Sequence, residues 1–553
     1  MSHSFNFGRF SASGAAPQRR GGGRFRIALL GDFSGRAHRG ELRRGAALAQ
    51  ARPLKLDVDT LDRLLAGFGA VLRLPMDSVG DVVELKPRSL DDLHPDALYD
   101  SLPIFSRLVS LRQRLAQPST FAAAAAEVRQ WDDVAAAELA AAAAAEVNQP
   151  ARGDALAVDA TFGDFSRLLG RASAPAPAPG PLDEMLKRIV APHLKQAASP
   201  DAPALTAAVD RALSQAMRRV LHHPDFQCLE AAWRTLDFAA RRIETDEAVQ
   251  LVAYDLSAEE LAADLSSTDQ LQDTALYKLL VEQPSLDAHQ GALSTLIGCY
   301  GFELTPPQAE LLGRVAQIAA AARAPFFAGV GRGCIDDVEA GPVHPRITEA
   351  VGLLRALPAA RFLSLITPRL LLRAPYGKRS DPVSRFNFEE FDPAAGLDQL
   401  LWGPPSLAAA VLLAQHVAEH GAQQPPLAQY GLDDLPYFYH YDADGEATAV
   451  PCTERLLTER HVAALQGIGV VPLLAHKGQP EVRLAGFQSL AGGALAGPWG
   501  GDAVLNTAAP AAAAVAEGSA DAELDALLDA MGERRRARGG MDFSVLLSDL
   551  RKS

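Results

Sequence analysis

The chain has 553 residues, enough for two or three domains with sizeable cores. Its hydrophobic content of 48% and charged content of 22% are ordinary for a folded soluble protein. A net charge of −14 excludes a general nucleic-acid surface, which needs a basic field over a large face, and leaves room only for a local basic patch.

Four cysteines, Cys228, Cys299, Cys334 and Cys452, lie far apart without a C-x-x-C pair. Neither a zinc site nor a disulfide framework is suggested, and a reducing compartment fits. No run of eighteen apolar residues is present, and the first 23 residues lack the apolar core of a signal peptide. A cytoplasmic protein without membrane insertion is expected.

In chain order, residues 1–23 read as a flexible tail, although Phe5, Phe7 and the later Phe10 hint at a short strand. Residues 24–150 read as an α/β domain. RFRIALLGDF is a buried strand, and LKLDVDTLDRLLAGF is a strand running into a helix capped by Asp59 or Thr60. DVVELKPRSLDDLHPDALY gives another strand, then a turn. LPIFSRLVSLRQRL is an amphipathic helix with Ile104, Leu108, Leu111 and Leu115 in register. Residues 119–150 are Ala-rich and helical by propensity. Residues 151–180 form a linker with a short helix, ending in a stiff Ala-Pro run. A second α/β domain spans 181–490, and 491–553 is a low-complexity linker with short helices. The fold class is mixed α/β with long amphipathic helices.

The most informative stretch is 209–238. Val209, Leu213, Met217, Val220 and Leu221 make one apolar helical stripe, with Asp210, Arg211, Arg218 and Arg219 off it. Pro224 stops that helix, because it lacks an N–H and biases His223 away from helical angles. A second stripe follows: Phe226, Leu229, Trp233 and Leu236. This is a helix pair with a proline elbow, and its aromatic anchors need a partner surface.

Chemistry-bearing motifs are sparse. His222 and His223 point to different helix faces and lack a third ligand at i+3 or i+4, so they read as turn and cap residues rather than a metal site. Gly21-Gly22-Gly23 precedes a strand, whereas phosphate loops follow one, and Tyr376-Gly377-Lys378-Arg379-Ser380 lacks the glycine spacing of a Walker loop. Asp57, Asp59 and Asp62 run into a helix instead of a calcium loop. No nucleophile triad is legible. No cofactor, metal or catalytic residue is expected.

One six-residue word recurs: DFSRLL at 164–169 and DFSVLL at 542–547. Asp164, Phe165, Leu168 and Leu169, like Asp542, Phe543, Leu546 and Leu547, would form a short sticky helix on a tether. Docking peptides and unrelated amphipathic turns both remain open for these segments.

Specific words carry a resemblance. LHHPDFQCLEAAWRTLDF at 221–238 resembles the helix-elbow-helix of the large subunit of type VI secretion contractile sheaths (TssC/VipB family). Further words similar to that family are Thr305-Pro306-Pro307 with Glu310-Leu311-Leu312-Gly313, and Ala324-Pro325-Phe326. A longer block runs from Pro368 through Arg373-Ala374-Pro375-Tyr376-Gly377 and Asp381-Pro382 to Phe386-Asn387-Phe388-Glu389-Glu390. Cys452-Thr453-Glu454, Gly469-Val470-Val471-Pro472-Leu473 and Gln488-Ser489-Leu490 complete the series, and the resemblance ends at Leu490. In the first domain, Gly31-Asp32-Phe33-Ser34-Gly35, Leu56-Asp57-Val58-Asp59 and the words from Leu90 to Pro95 resemble the small sheath subunit (TssB/VipA family).

The resemblance implies a structural protein, not an enzyme: a small and a large sheath subunit fused in one chain. It would assemble by protein contacts around an inner tube protein and drive it by contraction. The implied partners are sheath subunits (its own copies or separate small and large ones), the inner tube protein, an AAA+ unfoldase that reads a helix near 164–169 or 182–186, and baseplate components. A second reading is a non-polymerising adaptor or cap of the same apparatus that uses its DFSxLL segments. An enzyme on an α/β scaffold would rest on fold class alone.

Overall fold

The computed structural model describes residues 5–10, 24–75, 82–128 and 202–499, apart from short breaks at 288, 341–344, 427–429 and 442–444. All of these belong to one unit, Met1–Ala503. The second unit, Val504–Ser553, lies outside the described residues.

Nine strands make the main sheet: β1 (Phe25–Gly31), β2 (Leu54–Leu56), β3 (Val249–Asp255), β4 (Thr295–Phe302), β5 (Phe326–Val330), β6 (Leu363–Thr367), β7 (Tyr430–Leu432), β8 (Val470–Ala475) and β9 (Val482–Leu484). Their spatial order is β7-β9-β8-β6-β5-β4-β1-β3-β2. The six neighbouring strands from β8 to β3 in that order are parallel; β2 pairs antiparallel with β3 at one edge, and at the other β9 pairs antiparallel with both β8 and β7. Both edge strands have only three residues, which leaves little unpaired backbone to template another sheet.

β1 lies inside this sheet, third from the β2 edge. Phe25 pairs with Val249 on one side and Ile27 with Thr295 on the other. Every residue of FRIALLG is buried, as a parallel strand covered on both faces requires. Arg26 is the polar exception, and its guanidinium is satisfied by Gln250 Oε1 at 2.9 Å, Gln290 Oε1 at 2.9 Å and the Gly291 carbonyl at 2.5 Å. The described parts of 24–150 and 181–490 therefore share one sheet, and a single hydrophobic core runs through both.

The helices among the described residues include α1 (Leu61–Phe68), α2 (Pro95–Ser101), α3 (Pro103–Ala116), α4 (Ala202–Leu221), α5 (Pro224–Arg242), α6 (Ala258–Leu265), α7 (Pro306–Ala322) and α8 (Ser406–His420). Ile104, Leu108, Leu111 and Leu115 of α3 are buried, and α3 packs on α4 with Arg112 paired to Asp210 at 2.5 Å. α8 is apolar on nearly every side and correspondingly buried against the sheet and α5.

Three expectations change. Helix α2 is present where the sequence suggests only a turn; Pro95 opens it at the position that needs no N–H, and His94 Nδ1 accepts from the Asp96 amide at 3.1 Å. Neither Asp59 nor Thr60 caps α1 through its side chain. Asp57 does the capping one turn earlier, accepting from the Asp59 amide at 3.2 Å in a 3-10 turn.

Third, residues 5–10 are not a free tail. The Arg9 amide donates to the Asp269 carbonyl at 2.8 Å and the Leu271 amide to the Arg9 carbonyl at 3.0 Å. Arg314 Nε donates to the Asn6 carbonyl at 3.0 Å. The ring of Phe7 fills a notch at Gly313, where a Cβ would lie 2.1 Å from it, and Phe10 meets Tyr277 at 5.7 Å. Aromatic burial and paired backbone outweigh the entropy of a free end here.

Candidate functional site

Two of the words that carry the resemblance, 221–238 and the block from Arg373 to Glu390, meet with the turn after β1 in one joint. His223 forms the elbow: its Nδ1 accepts from the Asp225 amide at 3.2 Å and so caps α5, with Pro224 in the first turn. Phe226, Leu229 and Trp233 are fully buried along the inner stripe of that helix. Trp233 Nε1 donates to the carbonyl of Phe33 at 2.7 Å, in the tight turn that follows β1. Phe33 itself is buried and stacks obliquely on Phe68 of α1 at 5.6 Å.

One face of the joint is a buried ionic knot. Arg373 makes two bonds to Glu230, at 2.7 and 3.1 Å, and two to Glu390, at 2.6 and 3.0 Å. Its guanidinium lies 4.1 Å from the centre of the Tyr376 ring. Arg234 reaches Glu230 at 2.7 Å and the Tyr376 hydroxyl at 2.9 Å, and the Tyr376 amide donates to Glu390 at 2.7 Å. Two arginines thus balance two glutamates with every group paired. Burial would push the Glu390 carboxyl up, but the charge of Arg373 and the bonds around it hold it at about 2. Burial pushes the Tyr376 phenol up to about 12.

A second knot ties the turn after β1 to the end of β3 and to α6. Arg36 pairs with Asp255 and, at 3.0 Å, with Glu260; Arg43 reaches Asp255 at 2.7 Å. Asp32 accepts from the amides of Arg36 and Ala37, each at 2.9 Å, and the Ser34 amide donates to Asp255 at 3.1 Å. Gly35 sits at φ +64, a left-handed angle that only glycine takes cheaply, so the turn can fold back. Further out, Asp96 at the start of α2 accepts from the amides of Ser384 and Arg385 at 3.1 and 3.0 Å, and the His94 ring stands edge-on to Tyr376 at 4.9 Å.

Charge meets charge and amide meets carboxylate in these contacts, while the buried Nε of Arg36 makes no hydrogen bond among the described residues. Chemically the arrangement can hold, resist and align. No group of three or more His, Cys, Asp or Glu that could hold a metal exists among the described residues. His222 instead lies 3.6 Å from Glu390 through Nε2.

The structure brings Phe226, Leu229 and Trp233 together in the joint. Asp164, Phe165, Leu168, Leu169, Asp542, Phe543, Leu546 and Leu547 lie outside the described residues, as do the segments 182–186 and 522–538. Glu230, Arg373 and Glu390 lie within the words that carry the resemblance, but their pairing joins positions far apart in the chain. A signal was present: an arginine and a paired Glu-Glu inside otherwise apolar words.

The VipB family model, described as EvpB/VC_A0108, tail sheath N-terminal domain, matches residues 204–491, more than half of the chain. The chain belongs to this tail-sheath family. Among curated proteins, it is similar to the type VI secretion system sheath protein TssC1 of Pseudomonas aeruginosa, with 30% identity over 308 residues. That alignment covers 52% of this chain and 60% of TssC1. Within the family region lie α5, the knot of Glu230, Arg373 and Glu390, and seven of the nine strands of the main sheet, β3 to β9, while β1 and β2 lie outside it. Phe33, Arg36 and Asp96 are also outside it. No helix among the described residues is long and apolar enough to cross a membrane.

Proposed function

We propose that this chain is a structural subunit of a type VI secretion contractile sheath, with a small-subunit-like segment and a VipB-like body on one polypeptide. The observation that carries this reading is the position of β1. It precedes the family region by almost two hundred residues, yet it pairs on both sides with strands of that region. A sheet with such a gap would be incomplete without a strand from elsewhere, and here the same chain supplies it. Tethering replaces a contact between two proteins with an internal one of high effective concentration and gives one-to-one stoichiometry.

The work of such a subunit is mechanical. Strain is held in contacts between subunits and released as the polymer shortens around its inner tube protein. The joint described above would keep the two segments rigid while those outer contacts rearrange. The DFSxLL segments at 164–169 and 542–547 are proposed as docking peptides for other components of the apparatus, and deletion of 540–553 should weaken capture of such a component in a pull-down.

Electron microscopy of the purified full chain tests the main reading, alone and mixed with separate small and large subunits. Tubes or incorporation into tubes are expected. Discrete particles that never join a tube would overturn it in favour of the adaptor reading.

A further inference from the structure

The segments that flank the two ends of α5 differ in charge. At the elbow, Gln215, Arg218, Arg219, His222 and His223 line an open hollow of about 450 Å³ that is otherwise bounded by Pro75 and Pro224. No carboxylate lines it, in a chain with 67 acidic and 53 basic residues. Nearby acids are engaged elsewhere. Asp225 pairs with His38 at 3.0 Å, Glu390 is held by Arg373, and the Glu389 carboxylate accepts from the Lys378 amide at 3.1 Å. Arg218 donates to the Glu389 carbonyl at 3.0 and 2.7 Å, and Arg219 is exposed. Among the described residues neither arginine pairs with a carboxylate.

Beyond Arg241 and Arg242 at the other end of α5, the chain enters an acidic turn. The turn after Arg242 exposes Glu244, Asp246 and Glu247, and the adjacent start of α1 exposes Asp59 and Asp62. Thr245 Oγ1 lies 3.5 Å from Asp57 Oδ2, which brings the two acidic segments together. The cations here are partly committed: Lys55 leans on Asp57 at 4.0 Å and Arg241 on Asp237 at 2.7 Å, while Arg63 is exposed.

Helix α5 has 19 residues. At about 1.5 Å per residue its ends are roughly 28 Å apart, too far for the hollow and the acidic turn of one copy to meet. We propose that the basic hollow at the elbow receives the acidic turn at 244–247, with Asp59 and Asp62, from a second copy of this chain. Two different patches then meet head to tail. Such a contact leaves one free hollow and one free turn at each end of a growing row, so it propagates. The inference rests on the sheath reading above and names one contact within it.

Charge reversal tests it, with sedimentation and electron microscopy of the full chain as readouts. Arg218→Glu with Arg219→Glu should raise the concentration needed for assembly about tenfold or more, as should Asp59→Lys with Asp62→Lys and Glu247→Lys. Mixing the two variants should restore assembly in alternating rows, because each then offers what the other lacks. Arg219→Glu alone, on an exposed side chain, serves if the Arg218 change disturbs folding. Wild-type assembly should also weaken as salt rises. Reversal variants that assemble like wild type, or a mixture no better than its parts, would overturn the contact and leave the sheath reading standing. A wild type that forms no assembly, alone or with other subunits, would instead overturn the sheath reading itself.

Discussion

Trp233 donates its indole N–H to the backbone carbonyl of Phe33 across 2.7 Å of buried interior, and this one bond joins the family's helix pair to the strand that precedes the family region. Shape and polarity are coupled there. Trp233→Phe keeps most of the ring but orphans the Phe33 carbonyl, which should cost about 1–3 kcal/mol. Trp233→Ala also opens a cavity and should cost about 3–5 kcal/mol. Urea unfolding followed by circular dichroism would measure both, and a Trp233→Phe variant as stable as the wild type would argue against the bond.

Arg373 is the centre of four bonds, and Glu230 and Glu390 depend on it. Arg373→Met leaves two buried carboxylates facing each other. A loss of about 3–5 kcal/mol is expected from chemical unfolding. Replacing Arg373, Glu230 and Glu390 together with apolar residues should recover part of it, since then no charge is left unpaired.

The same knot sets a pH window. Glu390 titrates at about 2 in the folded chain, below its ordinary 4.5. The folded state therefore holds this group ionised where the unfolded chain binds a proton. Its contribution is complete above about pH 5 and is lost as pH falls from there toward 2. Tyr376 runs the other way: with its phenol at about 12 instead of 10, its contribution is present below pH 10 and is lost as pH rises through 12. Unfolding midpoints measured across pH should show both shoulders, and the acid shoulder should shrink in Arg373→Met.

Gly313 gives a prediction whose sign is diagnostic. In the interior of α7, Gly→Ala normally stabilises by about 1 kcal/mol. Here the new Cβ would collide with the Phe7 ring at 2.1 Å. Gly313→Ala should therefore release residues 5–10, seen as faster amide exchange at Arg9 and Leu271 and as easier proteolysis of the N-terminus. A simple gain in stability without that release would show that Phe7 does not occupy the notch.

What was legible in the sequence was local or worded. The stripes of α4 and α5 follow from side chains three and four residues apart, and Pro224 marks their break within a few residues of itself. β1 could be read as a buried strand because its residues other than Arg26 are apolar or glycine. Its place between β3 and β4 could not, since strand order depends on partners distant in the chain. Arg373 meets Glu230 across 143 positions, and no periodicity reports such a pair. The seat of Phe7 was hidden for another reason: the feature that accepts it is an absence, the missing side chain of Gly313. Helix α2 escaped notice because His94, rather than one of the usual capping residues, closes its first turn.

The interior place of β1 also sets an order of events during synthesis. Phe25 leaves the ribosome roughly 220 residues ahead of its partner Val249, and β4 follows later still. At about 5–20 residues per second, this apolar strand waits roughly 10–45 s before either neighbour exists. For that interval FRIALLG is a sticky segment with no native place to go. A cell making this chain must keep its first strand from pairing with the wrong sheet until its own arrives.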